Sequence, residues 1–452
     1  MKTTAVRLYG AGDLRLETFE LPEMKEDEIL VEVISDSVCM STYKCAMLGQ
    51  EHKRVPKDLE YNPTIMGHEM AGNIVAVGAK HKGKFREGGK FTLQPALNYK
   101  GTMWSPGYSY PYFGGNATYC IIPPEVMELG CFLEYGGDAY FEASLAEPMS
   151  CSIGAFHAAY HTRMGDYHHE MGIVPGGKAA IVAGAGPMGL GALDYAISCD
   201  RRPGLLVIAD IDQARLTRAE EIFREKAAQS GVDVRFVNTA DLADPAAHLK
   251  ALAGGGFDDV FVFAPVAPVA ELGNAILGRD GCMNIFAGPM DSAFSARINL
   301  YDAHYNSTHI MGTTGGNTDD LKEALRLSEA GATEPAVMVT HVGGLDSAAN
   351  TITTLPCRSR RSRILQAWRR RTRALASYTP SPRPTGACGA PRRKPIFLRT
   401  GKDRKEHSSC TYKTCRSKTP PACTRGRPPS WWRSPRASNP RCSSAMRTTR
   451  PP

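Results

Sequence analysis

The stretch from Ala179 to Ala196 reads "AAIVAGAGPMGLGALDYA" and is the strongest indicator of fold in this chain. Gly184, Gly186 and Gly189 give the pattern G-x-G-x-x-G directly after an apolar strand and at the beginning of a helix. The first glycine permits a tight turn, the second lets backbone approach a pyrophosphate, and the third lets the helix pack on the strand. Because the helix N-terminus carries partial positive charge, the stretch predicts a dinucleotide-binding turn in a doubly wound domain.

An acidic residue follows at the spacing that such a domain needs. The next predicted strand ends in "VIADID", which places Asp210 21 residues after Gly189. A carboxylate there accepts hydrogen bonds from ribose hydroxyls and repels a 2′-phosphate, so NAD is favoured over NADP. Arg215 weakens that preference, and Pro187 and Met188 complete the predicted cofactor-binding turn. The alternative is a glycine turn that only packs a helix, with Asp210 capping the next one.

The chain on either side of the turn divides near residue 150. Before that point, short strands punctuated by Gly, Pro, Asn and Asp predict an antiparallel, barrel-like domain. From Gly177 onward, six apolar strands alternate with helical stretches, which predicts an α/β domain with a six-stranded parallel sheet. The six strands are "AAIVAG", "LLVIAD", "VRFVN", "DVFVFAPV", "MNIFAG" and "HIMGTT".

The N-terminus and the cysteines indicate the compartment. No apolar run reaches the ~18 residues that a membrane helix needs, and "MKTTAVRLYG" lacks the apolar stretch of a signal peptide. We therefore expect a soluble, cytoplasmic protein with no membrane partner. The cysteines before Pro356 are widely and unevenly spaced, which predicts reduced thiols instead of a disulfide framework. They are Cys39, Cys45, Cys120, Cys131, Cys151, Cys199 and Cys282.

Four residues with metal-binding side chains are scattered over residues 1–150. They are Cys39 in "VCMSTYK", His68 and Glu69 in "MGHEMAG", and Glu147 in "LAEPMS". A thiolate, an imidazole and a carboxylate form a suitable set for catalytic zinc, which keeps one position open for water or a substrate oxygen. Each residue alone is equally typical of an ordinary core or polar position, so spacing by itself does not establish a metal site.

Together these segments closely resemble the zinc-dependent medium-chain alcohol dehydrogenases, in their polyol and sorbitol dehydrogenase branch, from residue 1 to about Leu355. Within that branch, "EHKRVP", "SLAEPMSCSIGAF", "GTTGGNTDD" and "VTHVGGLD" are most similar to reductases of L-sorbose 1-phosphate. The resemblance implies a GroES-like, β-rich catalytic domain in residues 1–150 and a Rossmann NAD(P)-binding domain in residues 151–315. It also implies a return segment in residues 316–355 that packs on the catalytic domain, and a homo-oligomer, either dimer or tetramer.

The resemblance further implies roles for the residues of the metal site. Cys39, His68 and Glu147 would surround the catalytic zinc, while Glu69 would be either a ligand or a neighbouring group. Ser41 would relay a proton, although the aspartate and histidine that follow it in many relatives are replaced in this chain. Glu69 and Ser41 are therefore the candidate catalytic residues.

The implied reaction is hydride transfer between a nicotinamide cofactor and a polyol or sugar phosphate, with L-sorbose 1-phosphate and D-glucitol 6-phosphate as the pair. One catalytic zinc and no structural zinc are expected, because no cysteine lies between Cys45 and Cys120, where many relatives have four. Lys44, Lys53 and Arg54 are candidates for binding the substrate phosphate. They could equally form a solvated basic loop or contact the cofactor pyrophosphate. Other dehydrogenases of the family, and a metal-free member of the quinone-reductase kind, remain alternatives.

The last 97 residues, from Pro356 to Pro452, differ sharply in composition. They hold 26 Lys and Arg against Asp403 and Glu406, a net charge of +24, while the whole chain carries +8, so residues 1–355 carry −16. They contain no valine but 14 prolines, six cysteines and three of the four tryptophans. Natural disordered arms are poor in Cys and Trp, whereas GC-rich DNA read in the wrong frame scatters Arg, Pro, Cys, Ser and Trp together. We therefore interpret residues 356–452 as a product of a shifted reading frame, which would form a disordered, Arg-, Pro- and Ser-rich tail.

That interpretation has two consequences for function. The last apolar strand of the catalytic domain would be missing, which makes the activity of this chain doubtful. The alternative is a basic arm that binds nucleic acid without sequence specificity, through neutralisation of phosphates.

Overall fold

The computed structural model of this chain describes residues 1–163, 165–358 and 363–367, all of them within the compact unit Met1–Ala376. The helices are α1 Met40–Leu48, α2 Pro124–Glu128, α3 Tyr140–Ala158, α4 Pro187–Ala196, α5 Gln213–Ser230, α6 Pro245–Leu252, α7 Ala267–Ala275, α8 Leu300–Tyr305, α9 Thr318–Glu329 and α10 Ala348–Arg358. Among these helices, each is too short or too polar to cross a lipid bilayer.

The strands fall into two groups, one on either side of α3. Those before α3 are β1 Lys2–Gly10, β2 Asp13–Glu20, β3 Ile29–Val38, β4 Thr64–Ile65, β5 Met70–Val77, β6 Lys90–Leu93, β7 Tyr119–Ile122 and β8 Phe132–Glu134. Those after it are β9 Tyr160–Arg163, β10 Asp166–Met171, β11 Lys178–Val182, β12 Leu205–Asp210, β13 Asp233–Asn238, β14 Phe257–Val262, β15 Leu277–Ile285, β16 His309–Gly312, β17 Val339–Gly343 and β18 Arg363–Ala367.

The first group, joined by β17 and β18 from the second, forms mainly antiparallel sheets. A three-stranded sheet has the order β2-β1-β4, and a seven-stranded sheet has the order β17-β18-β3-β5-β6-β8, with β7 also paired to β3. Strand β3 reads "ILVEVISDSV", and most of its residues are buried. Residues at its two ends pair with different strands, so β3 is the centre of the sheet that leads to Cys39.

The second group confirms the predicted doubly wound fold. Six parallel strands have the order β13-β12-β11-β14-β15-β16, which places the glycine turn after the central strand β11. This is the strand order of dinucleotide-binding domains, in which ligands bind beyond the carboxyl ends of the central strands. The GroES-like and Rossmann fold class predicted from the sequence is therefore confirmed.

The expectation that the closing strand is missing is wrong. Strand β18 lies between β17 and β3, with Ile364 opposite Val38 and Leu365 opposite Val342. The basic composition of residues 356–452 favoured a segment without strands, but a strand of about five residues is of ordinary length and needs only a short stretch of such a segment. The other parts of the predicted tail, residues 359–362 and 368–452, lie outside the described residues.

Helix α3 connects the two groups of strands. It spans Tyr140–Ala158, is buried along most of its length, and contacts β3, α4 and α9. One apolar cluster contains Met149 and Ile153 of α3 together with Leu190 of α4 and Leu321 of α9. The helix therefore carries Glu147 to the catalytic sheet on a rigid, packed element.

Candidate active site

Three donor groups meet between the end of β3 and the beginning of β5. Cys39 follows β3 and caps α1, while His68 and Glu69 directly precede β5. The Cys39 Sγ, a ring nitrogen of His68 and a carboxylate oxygen of Glu69 all lie within 4.8 Å of one another. His68 and Glu69 are buried. A thiolate, an imidazole and a carboxylate at this separation have the chemistry to share one zinc ion.

Two hydroxyl groups of α1 contact His68. Thr42 Oγ1 lies 3.4 Å from His68 Nδ1, and Ser41 Oγ lies 3.3 Å from His68 Nε2. The Ser41 hydroxyl also donates to Cys39 Sγ over 3.0 Å. Histidine ligands of metals commonly bind a second group through the other ring nitrogen, which fixes the orientation of the ring. Thr42 is placed for that role, and Ser41 touches two of the three donors.

A buried carboxyl group, Asp36, holds the donor loop against β3. Its Oδ1 accepts a hydrogen bond from the Glu69 amide at 2.9 Å, and its Oδ2 accepts one from the Asn116 side-chain amide. A Cβ atom on Gly67 would lie 2.3 Å from Asp36 Oδ2, and one on Gly115 would lie 2.4 Å from Oδ1. Burial, followed by the charge of Glu69, raises the pKa of Asp36 well above its ordinary value.

Glu147 approaches the donors from α3 but is not one of the three groups within 4.8 Å. Its side chain is 7% exposed, and its Oε1 accepts a weak hydrogen bond from Cys151 Sγ at 3.7 Å. Burial, followed by the charges of Glu147, Cys39 and Glu69, raises the pKa of Cys151 well above its ordinary value. Glu147 therefore lies within electrostatic range of the same region as the other donors.

Tyr108 packs beside the donors. Its ring centre lies 5.2 Å from that of His68, and it stacks on His52 at 5.3 Å with 21° between the planes. Its hydroxyl lies near Ser41, and burial, followed by the charges of Cys39 and Cys45, raises the pKa of Tyr108 well above its ordinary value. The phenol therefore keeps its proton throughout the physiological range.

The three cations predicted to bind phosphate lie within electrostatic range of His52. Burial, followed by the charges of Arg54, Lys53 and Lys44, lowers the pKa of His52 to about 4. The guanidinium carbon of Arg54 lies 5.6 Å from the centre of the Tyr108 ring. His52 is therefore neutral near pH 7, and the positive charge of this loop comes from the lysines and the arginine.

Lys44 connects the catalytic helix α1 to the parallel sheet. Its ammonium group donates to the carbonyl of Gly288, in the loop that follows β15. Burial lowers the pKa of Lys44, and the charge of Cys39 opposes that effect. Lys44 thus lies within electrostatic range of a donor residue as well as of the basic loop.

The glycine turn joins β11 to α4. A Cβ atom on Gly184 would lie 2.7 Å from the carbonyl oxygen of Ile181, and one on Gly189 would lie 1.9 Å from the carbonyl oxygen of Gly184. Packing therefore restricts both positions to glycine. At Gly186 a Cβ atom would meet nothing within 4 Å, and this residue caps α4 with Pro187 in the first turn. Open space at a helix N-terminus suits a pyrophosphate.

Asp210 ends β12 and contacts the glycine turn. Its Oδ2 accepts a hydrogen bond from the Ala185 amide at 3.0 Å, and its Oδ1 accepts one from the Ile211 amide at 2.8 Å. Its Oδ1 also accepts a hydrogen bond from the Asp212 amide at 3.1 Å. A carboxylate has about four lone-pair sites, so about one remains for a ribose hydroxyl. Arg215 forms an ion pair with Asp212 at 3.3 Å.

Family models match both groups of strands. Residues 25–135 match the alcohol dehydrogenase GroES-like domain, and residues 187–330 match the zinc-binding dehydrogenase domain. Mannitol-1-phosphate 5-dehydrogenase of Aliivibrio fischeri is 53% identical over 78% of this chain and 83% of its own length. L-sorbose 1-phosphate reductase of Klebsiella pneumoniae is 47% identical over 78% of this chain and 85% of its own length. The chain belongs to the zinc-binding medium-chain alcohol dehydrogenases.

Membership in the polyol branch of these dehydrogenases makes the chain an oxidoreductase acting on CH–OH donors. Solved dehydrogenases share its fold. The 2R,3R-butanediol dehydrogenase of Bacillus subtilis superposes with a TM-score of 0.67 at 21% identity, over 81% of this chain and 99% of that one. A zinc-binding dehydrogenase of Sinorhizobium meliloti bound to NADP gives 0.66 at 20% identity, over 81% and 99%. The match to the zinc-binding dehydrogenase domain supports zinc and a nicotinamide cofactor for this dehydrogenase.

Several residues of the dehydrogenase site were missed by the sequence analysis. The residues that contact the donors or their loop are Asp36, Thr42, Tyr108 and Asn116. Thr42 lies within "VCMSTYK" but was given no role, and the other three lie outside the motifs quoted for the metal and the cofactor. The one available signal was an aspartate inside the otherwise apolar end of "EVISDSV", because an acid in a buried strand requires partners.

Proposed function

We propose that this dehydrogenase interconverts a ketose phosphate and a hexitol phosphate, with L-sorbose 1-phosphate and D-glucitol 6-phosphate as the physiological pair. The observation that carries the proposal is that Arg54 and His52 both contact the Tyr108 ring that packs on His68, with Lys44 and Lys53 within electrostatic range of His52. Arginine binds two phosphate oxygens in a fork, and lysine adds point charge. A cationic group beside the metal donors suits a substrate with one phosphate and one reacting carbonyl.

The proposed metal ligands are Cys39 and His68, with Glu69 or Glu147 as the third. A bound zinc ion would polarise the carbonyl and stabilise the alkoxide. The proximity of Glu69 to the other two donors supports Glu69, whereas the family resemblance supports Glu147. We propose a single, catalytic zinc site. A structural zinc would need the four cysteines that many relatives have in this part of the chain, and only Cys45 lies between Cys39 and Cys120.

The chain's own groups would move the proton and hold the cofactor. The Ser41 hydroxyl touches Cys39 and His68, so it is placed to exchange a proton with a substrate oxygen at the donors. Asp210 would bind the adenosine ribose, and Gly184 to Gly189 would hold the pyrophosphate. Because Arg215 is paired with an aspartate, we propose NAD as the preferred cofactor.

The second candidate substrate pair is D-mannitol 1-phosphate and D-fructose 6-phosphate, which the Aliivibrio relative favours. The two pairs differ in geometry, because the ketone and the phosphate occupy neighbouring carbons in L-sorbose 1-phosphate and distant carbons in fructose 6-phosphate. The test is NADH oxidation by the purified full chain with both ketose phosphates and with unphosphorylated L-sorbose. A higher kcat/KM with fructose 6-phosphate would replace the proposed substrate, and inactivity with all polyol phosphates would overturn the proposal.

The phosphate-binding role has its own test. Replacing Lys53 and Arg54 together by alanine should raise KM for the ketose phosphate at least about 10-fold, because two charge-assisted contacts are lost. KM for unphosphorylated sorbitol should stay the same. The matched control is the double alanine variant of Lys82 and Lys84, two lysines of a basic turn in a different part of the catalytic sheet. Equal effects on both substrates would refute the role of Lys53 and Arg54.

Assembly and the tail remain proposals. We propose a homo-oligomer, since β16 is an edge strand and the neighbouring helix α8 exposes Leu300, Tyr301 and Tyr305. Exposed apolar groups of this size commonly mark interfaces. We also propose that residues 356–452 derive from a shifted frame and bind nucleic acid only nonspecifically. Light scattering of the full chain, and mobility shift with and without those residues, test the two statements.

A further inference from the structure

The segment from Ser105 to Ser109 folds directly over the metal-donor loop. Gly107 has a φ of +77°, and a Cβ atom there would lie 2.4 Å from the carbonyl oxygen of Gly67. Gly67, with a φ of +88°, immediately precedes His68. Two glycines in the left-handed region therefore let one backbone press on the other. The result is that the next residue, Tyr108, is placed against the donors.

Tyr108 contacts the donors through its ring, and its hydroxyl lies near Ser41. The ring centre lies 5.2 Å from that of His68 with 40° between the planes. The Ser41 hydroxyl donates to Cys39 Sγ at 3.0 Å, and the Tyr108 phenol is close enough to act on it as well. A hydroxyl that lies between a thiol group and a phenol has few orientations left. Tyr108 therefore restricts the direction in which Ser41 can present its proton.

The same segment also holds the basic loop. Ser109 Oγ donates to the Arg54 carbonyl at 2.7 Å, and the Arg54 guanidinium carbon lies 5.6 Å from the Tyr108 ring centre. His52 stacks on that ring at 5.3 Å. The Tyr108 ring thus lies in contact with both the cationic side chains and a metal donor. The separation of the guanidinium carbon from the His68 ring centre is at most 10.8 Å, the sum of the two centroid distances.

We propose that Tyr108 is a positioning and specificity-determining residue with two separable roles. Its hydroxyl orients Ser41 at the reacting end of the substrate, and its ring sets the spacing between the metal donors and the cations that bind the phosphate. The second role rests on the proposed function, whereas the first requires only the donor group. The motifs of the metal site and of the cofactor site do not include Tyr108, because the segment from Ser105 to Ser109 has no metal-binding side chains.

The test uses two substitutions at one position in the full chain. Tyr108→Phe removes the hydroxyl and should lower kcat about 10-fold with little change in KM, in line with a misoriented proton-transfer group. Tyr108→Leu also removes the ring and should raise KM for the ketose phosphate at least about 10-fold, because Arg54 and His52 lose the surface that places them. KM for unphosphorylated sorbitol should not change. If Tyr108→Leu raises KM equally for both substrates, the spacing role is wrong.

The matched control is Tyr110→Phe. Tyr110 lies two residues along the same segment, is buried, and donates to Glu125 Oε1 at 2.7 Å. The control therefore loses a buried phenol hydrogen bond of the same kind without touching the donors. It should reduce thermal stability and leave kcat and KM unchanged at a temperature well below unfolding. If Tyr108→Phe behaves in the same way as this control, the orienting role is refuted.

A spectroscopic measurement separates this inference from the proposed function. Substitution of cobalt(II) for zinc gives a thiolate-to-metal charge-transfer band from Cys39, which responds to the hydrogen bond that Ser41 donates to the thiolate. The band should shift in Tyr108→Phe and remain in place in Tyr110→Phe. This readout needs no substrate, so inactivity of the wild type with every polyol phosphate would reject the substrate and leave the orienting role to be decided by the band. An unshifted band in Tyr108→Phe would overturn it.

Discussion

The cofactor turn and the metal-donor group are built in opposite ways. The turn is one continuous segment, in which backbone contacts restrict Gly184 and Gly189 to glycine while Gly186 borders open space. The donor group joins Cys39 to His68 and Glu69. Its brace, Asp36, lies 33 positions from Glu69 and 80 positions from Asn116, and it is hydrogen-bonded to both. A site made of local backbone can be recognised from a short sequence motif, whereas a site made of side chains depends on contacts between strands that lie far apart in the sequence.

The two regions should therefore fail independently. Damage to the turn should reduce cofactor affinity and leave the metal in place, because few of its contacts reach the donors. Damage to the donors or their braces should release the metal and leave cofactor affinity intact. The predictions below test this separation.

The largest effect should come from Cys39→Ser, which removes the thiolate from the donor group. We expect kcat/KM to fall at least about 1000-fold, because the charge stabilisation supplied by a bound metal is worth several kcal/mol. Zinc content should fall in parallel, while NADH fluorescence titration should give an unchanged Kd. Full activity in a zinc-free variant would instead favour a metal-free member of the family.

The second prediction compares two glycines of the turn. In Gly189→Ala the new methyl group would stand 1.9 Å from a carbonyl oxygen, so the turn must shift, and Tm and NADH affinity should both fall. The affinity loss should be about 10- to 100-fold, in line with overpacking of 1–3 kcal/mol. Gly186→Ala meets no protein atom, so it should weaken NADH binding while Tm stays the same. A large Tm loss in Gly186→Ala, or a change in zinc content in either variant, would contradict the separation.

The third prediction concerns the buried brace Asp36. Asp36→Asn keeps the shape of the side chain but turns one acceptor into a donor, which must face either the Glu69 amide or the Asn116 amide. We expect zinc affinity to fall about 10- to 100-fold, as is usual for groups that orient metal ligands. Competition with a chelator measures this. The control is Ser37→Ala, since the buried Ser37 hydroxyl has no hydrogen-bond partner among the described residues; an equal loss there would discredit the brace.

The smallest effect should arise at His157, on the helix that carries Glu147. The carboxylate of Asp320 accepts a hydrogen bond from His157 Nδ1 at 2.7 Å and, against the effect of burial, raises the pKa of His157. A histidine whose folded pKa is raised stabilises the fold fully below its unfolded pKa of about 6.5. That stability is lost as pH rises through the folded pKa. Because the side chain is 47% exposed, we expect His157→Gln to lower Tm by only about 1–3 °C near pH 5.5 and less at pH 8.5.

The control for His157→Gln is His248→Gln, at another histidine on a helix of the parallel sheet domain. Its Tm should show no comparable dependence on pH. If the Tm difference between His157→Gln and the wild type grew with pH, the direction assigned to the His157 pKa would be wrong.

Much of the architecture could be predicted because the signals are local. The glycine turn, Asp210 and the six parallel strands follow from residues that are neighbours in sequence, and the fold class is confirmed. The donor residues could be named only through a family resemblance, and their roles stay predictions. Asp36 and Tyr108 could not be found in this way, because each acts through contacts with segments far along the chain.

The closing strand shows how composition can mislead. Arginines around Arg363–Ala367 led to the expectation of a tail without structure, yet these residues complete the sheet beside β3. Backbone pairing places few demands on composition, particularly over five residues. Net charge describes a long segment as a whole and carries little information about a short strand within it.

The pairing of Ile364 with Val38 also bears on how the protein is made. About 300 residues separate these two strands, and at roughly 5–20 residues per second a ribosome needs roughly 15–60 s to synthesise them. During that interval the end of β3 next to Cys39 has no neighbour on one side, so the nascent chain presents an open edge. We therefore expect the catalytic domain to mature only after β18 has been synthesised, with metal acquisition as a late step and with chaperone binding to the exposed strand before it.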